Sequence, residues 1–271
     1  MKNKIIDFSK FSSLKIGDSF NVEIIENSDI VRSNSYLIGS CNNILIGKNP
    51  PKLSKLSKDF DYIKIENNQL KIGGATPSGK IISFCKKNNI ANFEFISQLP
   101  GTLGGLVKMN AGLKNYEIFN YLTNIYTDKL INKDKIDYGY RKTDIAKPIL
   151  EASFILEYGF DNSKIDMFKI MRINQPKLPS AGSCFKNPID DYAGRLIEEV
   201  GLKGFRVGDM EFSSQHANFL VNLGHGVFSD AIYLIEEAKK RVYEKFKINL
   251  ECEIIILDKS YMNNSLEKDN G

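Results

Sequence analysis

The apolar residues of this chain keep two different spacings in two different stretches, and that division limits the folds open to it. The first third carries short apolar runs bounded by glycine, asparagine and proline. "YLIGSCNNILIG" (Tyr36–Gly47) is a pair of such runs around a small, polar turn, and "YIKIENNQLKIGG" (Tyr62–Gly74) reads as a hairpin turning at Asn67-Asn68. Leu122–Tyr158 reads as further strands around the charged loop "TDKLINKDKIDYGYRKTD". Between these regions "TPSGKIISFCKKNN" predicts a helix, with Thr76 as N-cap and Pro77 at the first helical position. In the final third the spacing turns helical. "DDYAGRLIEEVGLKG" sets Ala193, Leu196, Ile197 and Val200 on one face, with Gly201 to close the helix. "SDAIYLIEEAKKRVYEKF" does the same with Ile232, Ile235, Ala238, Val242 and Phe246, capped by Ser229 or Asp230. "ECEIIIL" (Glu251–Leu257) predicts a closing strand, and the polar "KSYMNNSLEKDNG" predicts a disordered tail. Strands and helices without regular βα alternation predict an α+β fold rather than a doubly wound sheet.

With 271 residues, 42% of them hydrophobic, the chain has the length of about two domains. Lys and Arg number 37 against 33 Asp and Glu. The resulting net +4 suits a small anionic substrate, and no long basic block points to nucleic acid. Lys52, Lys55 and Lys58 read as a solvated face. The four cysteines (Cys41, Cys85, Cys184, Cys252) form no CxxC pair, and the only histidines are His216 and His225, so no zinc or iron–sulfur site is expected. The N-terminus lacks the apolar core of a signal peptide, and no segment reaches the length of a membrane span. The expectation is a cytoplasmic protein with reduced thiols.

Six segments could carry chemistry. "LPGTLGG" (Leu99–Gly105) packs Gly101, Gly104 and Gly105 around Thr102. Glycines let backbone N–H groups approach a phosphate, though a tight turn explains the run equally well. "GSCNN" (Gly39, Ser40, Cys41, Asn42, Asn43) is a second small-residue turn. "PSAGSCFKNP" (Pro179–Pro188) sets Ser180, Ser183 and Cys184, all potential nucleophiles or proton donors, on one loop. Arg141 in "YRKT", His216 before an apolar strand, and Glu253 in "ECEIIIL" are the remaining candidates. By strand alternation Glu251 and Glu253 share a face, which on a terminal strand is usually solvated; a buried carboxyl would need partners.

Taken in order, these segments resemble the MurB family of UDP-N-acetylenolpyruvoylglucosamine reductases. The likeness runs from about Ser13 to Leu257. "LPGTLGGLVKMNAG" is similar to the family's flavin-binding signature, "YRKT" to its arginine motif and "LPSAGSCFKNP" to its active-site loop. "AGRLIEEVGLKGFRVGDMEFSSQHANFLVN" and "INLECEI" are similar to its C-terminal part. The short distance from Arg141 to Ser183 resembles the compact subtype.

The resemblance implies a two-subdomain FAD-binding module of the PCMH/vanillyl-alcohol-oxidase type (1–68 and 69–172). A C-terminal α+β substrate-binding domain (173–258) and the tail (259–271) would follow. It implies non-covalent FAD, NADPH as co-substrate, a UDP-sugar as substrate, and a monomer acting in peptidoglycan precursor synthesis, with no nucleic-acid or membrane partner. Arg141, Ser183 and Glu253 would be catalytic. Lys177, Asn187 and His216 would meet substrate. Gly39–Asn43, Gly101, Thr102, Gly104, Gly105, Asn110, Ala111 and Gly112 would meet FAD. Ser180 would serve the turn, and Cys184, pointing away from Ser183, would be a buried filler. The family usually has glycine and serine where this chain has Cys41 and Asn42. "RINQPK" lacks a basic residue common before the active-site loop, and the N-terminal "FSSLKIGD" is a reduced form of the usual opening. Two other readings fit parts of the chain: another FAD oxidoreductase on the same module, or a non-catalytic nucleotide-binding protein. A thiol enzyme using Cys184 would need His216 as its base.

Overall fold

The structure is a computed structural model that describes residues 2–26 and 34–262. Chain contacts divide it into two compact units: one of residues 1–4, 22–40 and 53–173, the other of 5–21, 41–52 and 174–271. Helix and sheet are mixed in both.

The first unit is organised by a five-stranded antiparallel sheet in the order Leu130–Asn132, Leu122–Tyr126, Glu151–Ile155, Gln69–Gly73, Ile63–Glu66. The hairpin expected at Asn67-Asn68 is present, with φ of 51° and 56°. Two consecutive left-handed residues match the twist of the flanking strands, and asparagine tolerates that conformation. The helices Ser78–Lys87, Leu103–Lys108 and Asn162–Met171 cover the sheet through Ile81, Cys85, Leu103, Leu106, Val107 and Phe168, in a core that includes Phe93, Phe95, Phe119 and Phe154. Leu53–Leu56 runs parallel to Tyr36–Leu37 and to the end of Ser19–Ile25. Ile25, Leu56, Phe60 and Leu150 form a smaller cluster beside it.

The second unit carries an antiparallel sheet in the order Ser180–Ser183, Phe219–Asn222, Met210–Phe212, Arg206–Val207. Helices Ala193–Glu199 and Phe228–Phe246 pack on it through Ala193, Leu196, Ile197, Ala231, Leu234, Ile235, Ala238 and Val242. Gly201 takes φ 73° after the shorter helix, the left-handed closure expected of it. Ile44–Ile46 and Ile255–Leu257 form a parallel pair. Buried Asn222 ties the unit together: Nδ2 donates to Leu14 O at 3.0 Å, while Oδ1 accepts from the N–H groups of Gly224 and Gly226, each at 2.9 Å.

Several local expectations are corrected. Thr76 does not cap the first helix. Its hydroxyl donates to Tyr62 O at 3.1 Å, and the helix begins one step later, with Pro77 at the cap. Neither Ser229 nor Asp230 caps the long helix. Val227 holds that position and Asp230 lies in the first turn, where a carboxylate favours the helix dipole. The closing strand covers only Ile255–Leu257; ahead of it Cys252 forms an isolated antiparallel bridge with Phe185. The expected disordered tail begins with a helical turn over residues 259–262. There Tyr261 Oη donates to Glu236 Oε1 at 2.7 Å, and buried Asp258 accepts from Asn49 N–H and Ser260 N–H, each at 3.0 Å. The rest of that expectation, 263–271, lies outside the described residues. Among the described residues no helix is long and apolar enough to cross a membrane.

Two positions test the packing of the first unit. Among the described residues Ser54 Oγ is the one buried side-chain polar atom without a hydrogen-bond partner. An unsatisfied buried hydroxyl costs about 1–3 kcal/mol, so Ser54→Ala is expected to raise the unfolding free energy in a denaturant titration. A loss of stability would mean that the hydroxyl has a partner. A Cβ on Gly74 would lie 2.0 Å from Ile149 O, a backbone atom that cannot swing away. Gly74→Ala is expected to cost about 1–3 kcal/mol in the same titration.

Candidate active site

In the first unit the arginine motif is a two-stranded hairpin, Tyr138–Gly139 against Lys142–Thr143, with Arg141 at its turn. Arg141 is left-handed at φ 53°. Its guanidinium is mostly buried and multiply held. Nη1 donates to Asn110 O at 3.3 Å, Nη2 donates to Gly112 O at 2.5 Å, and Nη1 lies 3.8 Å from Glu117 Oε1. The other Glu117 oxygen accepts from Asn110 Nδ2 at 2.8 Å, and Asn110 Nδ2 also donates to Gly139 O at 3.0 Å. Thr143 adds a 2.7 Å bond to Lys108 O at the end of the Leu103–Lys108 helix. The "YRKT" and "MNAG" segments are thus one construction. Glu117 is a member that the sequence did not single out.

The glycine-rich turn is used in two ways. The amides of Leu103 and Gly104 donate to Thr76 O and Gly74 O, each at 2.9 Å, so they pack the helix onto the strand ends. A Cβ on Gly104 would sit 3.1 Å from Gly74 O. Of the two explanations for the run, a tight turn or a phosphate, close backbone packing accounts for glycine at that position. Gly101 has φ 147°, which requires glycine, and a Cβ on Gly39 would lie 2.6 Å from Thr102 Oγ1. Gly105 differs, for it is exposed and a Cβ there would meet only Thr102 Oγ1, at 3.8 Å.

In the second unit the "PSAGSCFKNP" segment begins as the strand Ser180–Ser183, paired with Phe219–Asn222. The register shifts between Ser180 and Ser183, where Gly182 takes φ 80°. Beyond Ser183 the loop is fixed by Asn218, also not foreseen from sequence. Asn218 O accepts from Cys184 N–H at 2.6 Å, its Oδ1 from Phe185 N–H at 2.9 Å, and its Nδ2 donates to Phe185 O at 2.8 Å. Cys184 O accepts from the amides of Glu253 at 2.9 Å and Ile254 at 3.3 Å. The residue after Ser183 is therefore bonded directly to the backbone of Glu253. Asn43 Nδ2 donates to Glu253 O at 2.8 Å. Glu253 is half-buried, whereas Glu251 is exposed and pairs with Lys186 Nζ at 2.6 Å; Cys252 between them bridges to Phe185.

The other candidates are placed around this loop. Asn187 Oδ1 accepts from Ala193 N–H at 3.1 Å, opening the short helix. His216 Nδ1 accepts from Asn218 N–H at 3.3 Å, and burial holds the imidazole below its ordinary pKa, which leaves the proton of the neutral ring on Nε2. Gly194 makes room for that ring, since a Cβ there would lie 3.2 Å from His216 Cε1. Lys177 is exposed ahead of the loop. Cys41 is buried and left-handed at φ 52°, the backbone reason that glycine suits this position. Its carbonyl accepts from Ser13 N–H at 3.2 Å.

The C-terminal domain of UDP-N-acetylenolpyruvoylglucosamine reductase, as a family model, matches residues 174–257. The Helicobacter hepaticus protein named UDP-N-acetylenolpyruvoylglucosamine reductase is 47% identical over 262 residues, covering 95% of this chain and 100% of its own. The chain belongs to the UDP-N-acetylenolpyruvoylglucosamine reductase family. A Campylobacter jejuni reductase of the same name is 47% identical over 259 residues, covering 93% of this chain and 100% of its own. The crystal structure of UDP-N-acetylenolpyruvylglucosamine reductase (MurB) from Thermus caldophilus matches with a TM-score of 0.83 at 26% identity, covering 95% of this chain and 99% of that one. Membership makes the chain an oxidoreductase, in keeping with the MurB resemblance of its motifs.

Within the reductase loop, Cys184 is fully buried. Desolvation pushes its thiol pKa well up, and nearby Cys252 adds to the shift. A thiol that is neutral and out of reach of solvent is a poor nucleophile. Iodoacetamide at pH 8 is therefore expected to leave Cys184 unmodified in the native protein and to alkylate it after denaturation, as read by peptide mass spectrometry. Rapid native-state labelling would reinstate the thiol-enzyme reading.

Proposed function

We propose that the chain reduces the enolpyruvyl group of UDP-N-acetyl-3-O-(1-carboxyvinyl)glucosamine to UDP-N-acetylmuramate, for peptidoglycan, using NADPH and non-covalent FAD. The module is read as PCMH/vanillyl-alcohol-oxidase type, with subdomains 1–68 and 69–172 and a substrate-binding domain over 173–258. The observation that carries the reading is the bond from the Cys184 carbonyl to the Glu253 amide, which joins the segments bearing a hydroxyl and a carboxyl group.

The glycines support a flat, anionic cofactor. Gly105 lies in a helix, where glycine costs about 1 kcal/mol relative to alanine, although no protein atom fills the space of its side chain. A ligand that needs that space explains the glycine. Gly101, Thr102, Gly105 and the Gly39–Asn43 turn would hold the flavin nucleotide. FAD, when bound, accepts hydride from NADPH and supplies it to the substrate.

The chain's own residues do the rest. Hydride addition to an enol ether pushes negative charge onto the adjoining carboxylate as an enolate. Arg141 neutralises that charge. Its protein bonds fix the planar fork in advance, so little reorganisation is needed as charge develops. Glu253, in its protonated form, donates a hydrogen bond to the same group. Ser183 gives its hydroxyl proton to the enolate carbon. Asn187, His216 and Lys177 bind the substrate, with His216 donating from Nε2.

Stopped-flow flavin absorbance, with each half-reaction followed separately, tests this assignment. Ser183→Ala is expected to accept electrons from NADPH normally and to slow reoxidation by the enolpyruvyl nucleotide by ~10²–10⁴-fold. Arg141→Ala is expected to slow that second half-reaction by at least ~10²-fold. Glu251→Gln, which breaks only an exposed ion pair, is expected to be nearly silent. Normal reoxidation in Ser183→Ala would refute the proton-donor role. A colourless protein that cannot be reconstituted with FAD would refute the whole reading.

A further inference from the structure

We infer that Asn43 is a positioning residue for Glu253, setting the place of the acid in the second unit rather than serving only as a boundary of the cofactor turn. The inference rests on the reading of Glu253 as the acid. A carboxyl group can be aimed only from a fixed peptide, and Glu253 lies between the isolated antiparallel bridge of Phe185 with Cys252 and the strand that begins at Ile255. Both backbone groups of Glu253 are bonded. The N–H of Glu253 donates to Cys184 O at 2.9 Å, and the C=O of Glu253 accepts from Asn43 Nδ2 at 2.8 Å.

Asn43 grips this segment a second time. Its own C=O accepts from Ile255 N–H at 3.0 Å, directly before the parallel pairing of Ile44 with Ile255. The side chain and main chain of one residue thus bracket the Glu253–Ile255 backbone. Nothing but a short side chain with an N–H donor makes the first of these bonds. Alanine leaves the Glu253 carbonyl without it, and aspartate sets one oxygen against another. The carbonyl bond does not depend on the Glu253 side chain, so Asn43 acts through the placement of that residue.

The test is a double-mutant cycle on the FAD-loaded enzyme. Asn43→Ala and Asn43→Asp are each combined with Glu253→Ala, and FAD affinity is measured by fluorescence titration beside the two half-reactions. Because Asn43 belongs to the turn that would meet the flavin, Asn43→Ala is read at saturating FAD, where its reduction by NADPH is expected to slow far less than its reoxidation. It is expected to slow reoxidation by the enolpyruvyl nucleotide by ~10–10²-fold, the scale of misplacing a reacting group by about an ångström. Asn43→Asp, of the same shape, is expected to be slowed as much or more. In the Glu253→Ala background either change is expected to add less than ~2-fold, because an acid that is absent cannot be misplaced.

Purely additive effects, or an Asn43→Ala defect that tracks lost FAD in both half-reactions, would overturn the inference and return Asn43 to the cofactor. Should Asn43→Ala fail to fold, the isosteric Asn43→Asp decides between the same two outcomes. Glu253→Ala alone separates the inference from its foundation: normal reoxidation in that variant would overturn the reading of Glu253 as acid, whatever Asn43 does.

Discussion

One peptide carbonyl, that of Cys184, organises the second unit. It accepts two backbone amides from the Glu253 segment. Its own residue is locked to Asn218, which bonds to Cys184 and to both backbone groups of Phe185. Buried backbone groups must be paired, and here they are paired across separate parts of the chain rather than along one ladder. The cost of breaking any one of these bonds is that of a buried, unsatisfied group, which makes the arrangement stiff. Ser183 inherits this stiffness by being the next residue, and Glu253 inherits it by being the donor. Asn218 is therefore central to the loop, and its N–H also donates to Nδ1 of His216, a candidate substrate residue.

The first unit solves the equivalent problem for a cation. Arg141 stands at a hairpin turn with left-handed backbone, a conformation that strains any residue with a side chain by of order 1–3 kcal/mol. Bonds from its guanidinium to Asn110 O and Gly112 O, with Glu117 nearby, hold the strained turn in place. Cys41 is the other non-glycine candidate of this kind apart from Asn110, and it too is fixed by a backbone bond, from Ser13. Strained backbone at these candidate positions is sustained by surrounding bonds in both units.

Much of this was legible in the residues. The Asn67-Asn68 hairpin was readable because its turn demands left-handed residues, and the long C-terminal helix because its buried stripe repeats at the helical period. The order of the motifs carried the family. What was not legible depends on partners distant in sequence. Thr76 has the chemistry of a cap, but its hydroxyl is taken by Tyr62. The strand expected at Glu251 reduces to a bridge between Cys252 and Phe185, and the hold of Asn43 on the Glu253 carbonyl left no trace in the sequence. Gly104 read equally as a turn or a phosphate glycine, and the bond of its amide to Gly74 O depends on a partner thirty residues away. Glu117 could have been suspected only from a carboxylate near a buried arginine, and that nearness is a product of folding.

The parallel pairing of Ile44–Ile46 with Ile255–Leu257 has a consequence for how the chain matures on the ribosome. The continuous stretch 53–173 of the first unit emerges early and can begin to pack while translation continues. The second unit cannot be completed then, because its early strand waits for a partner made some two hundred residues later. Until then Ile44, Leu45 and Ile46 have no strand beside them, and the loop of Ser183 has no Glu253 amide to bind. A nascent chain arrested before that last strand would hold a formed half and an open apolar edge. Such an edge is a natural target for chaperones, and in their absence a seed for aggregation.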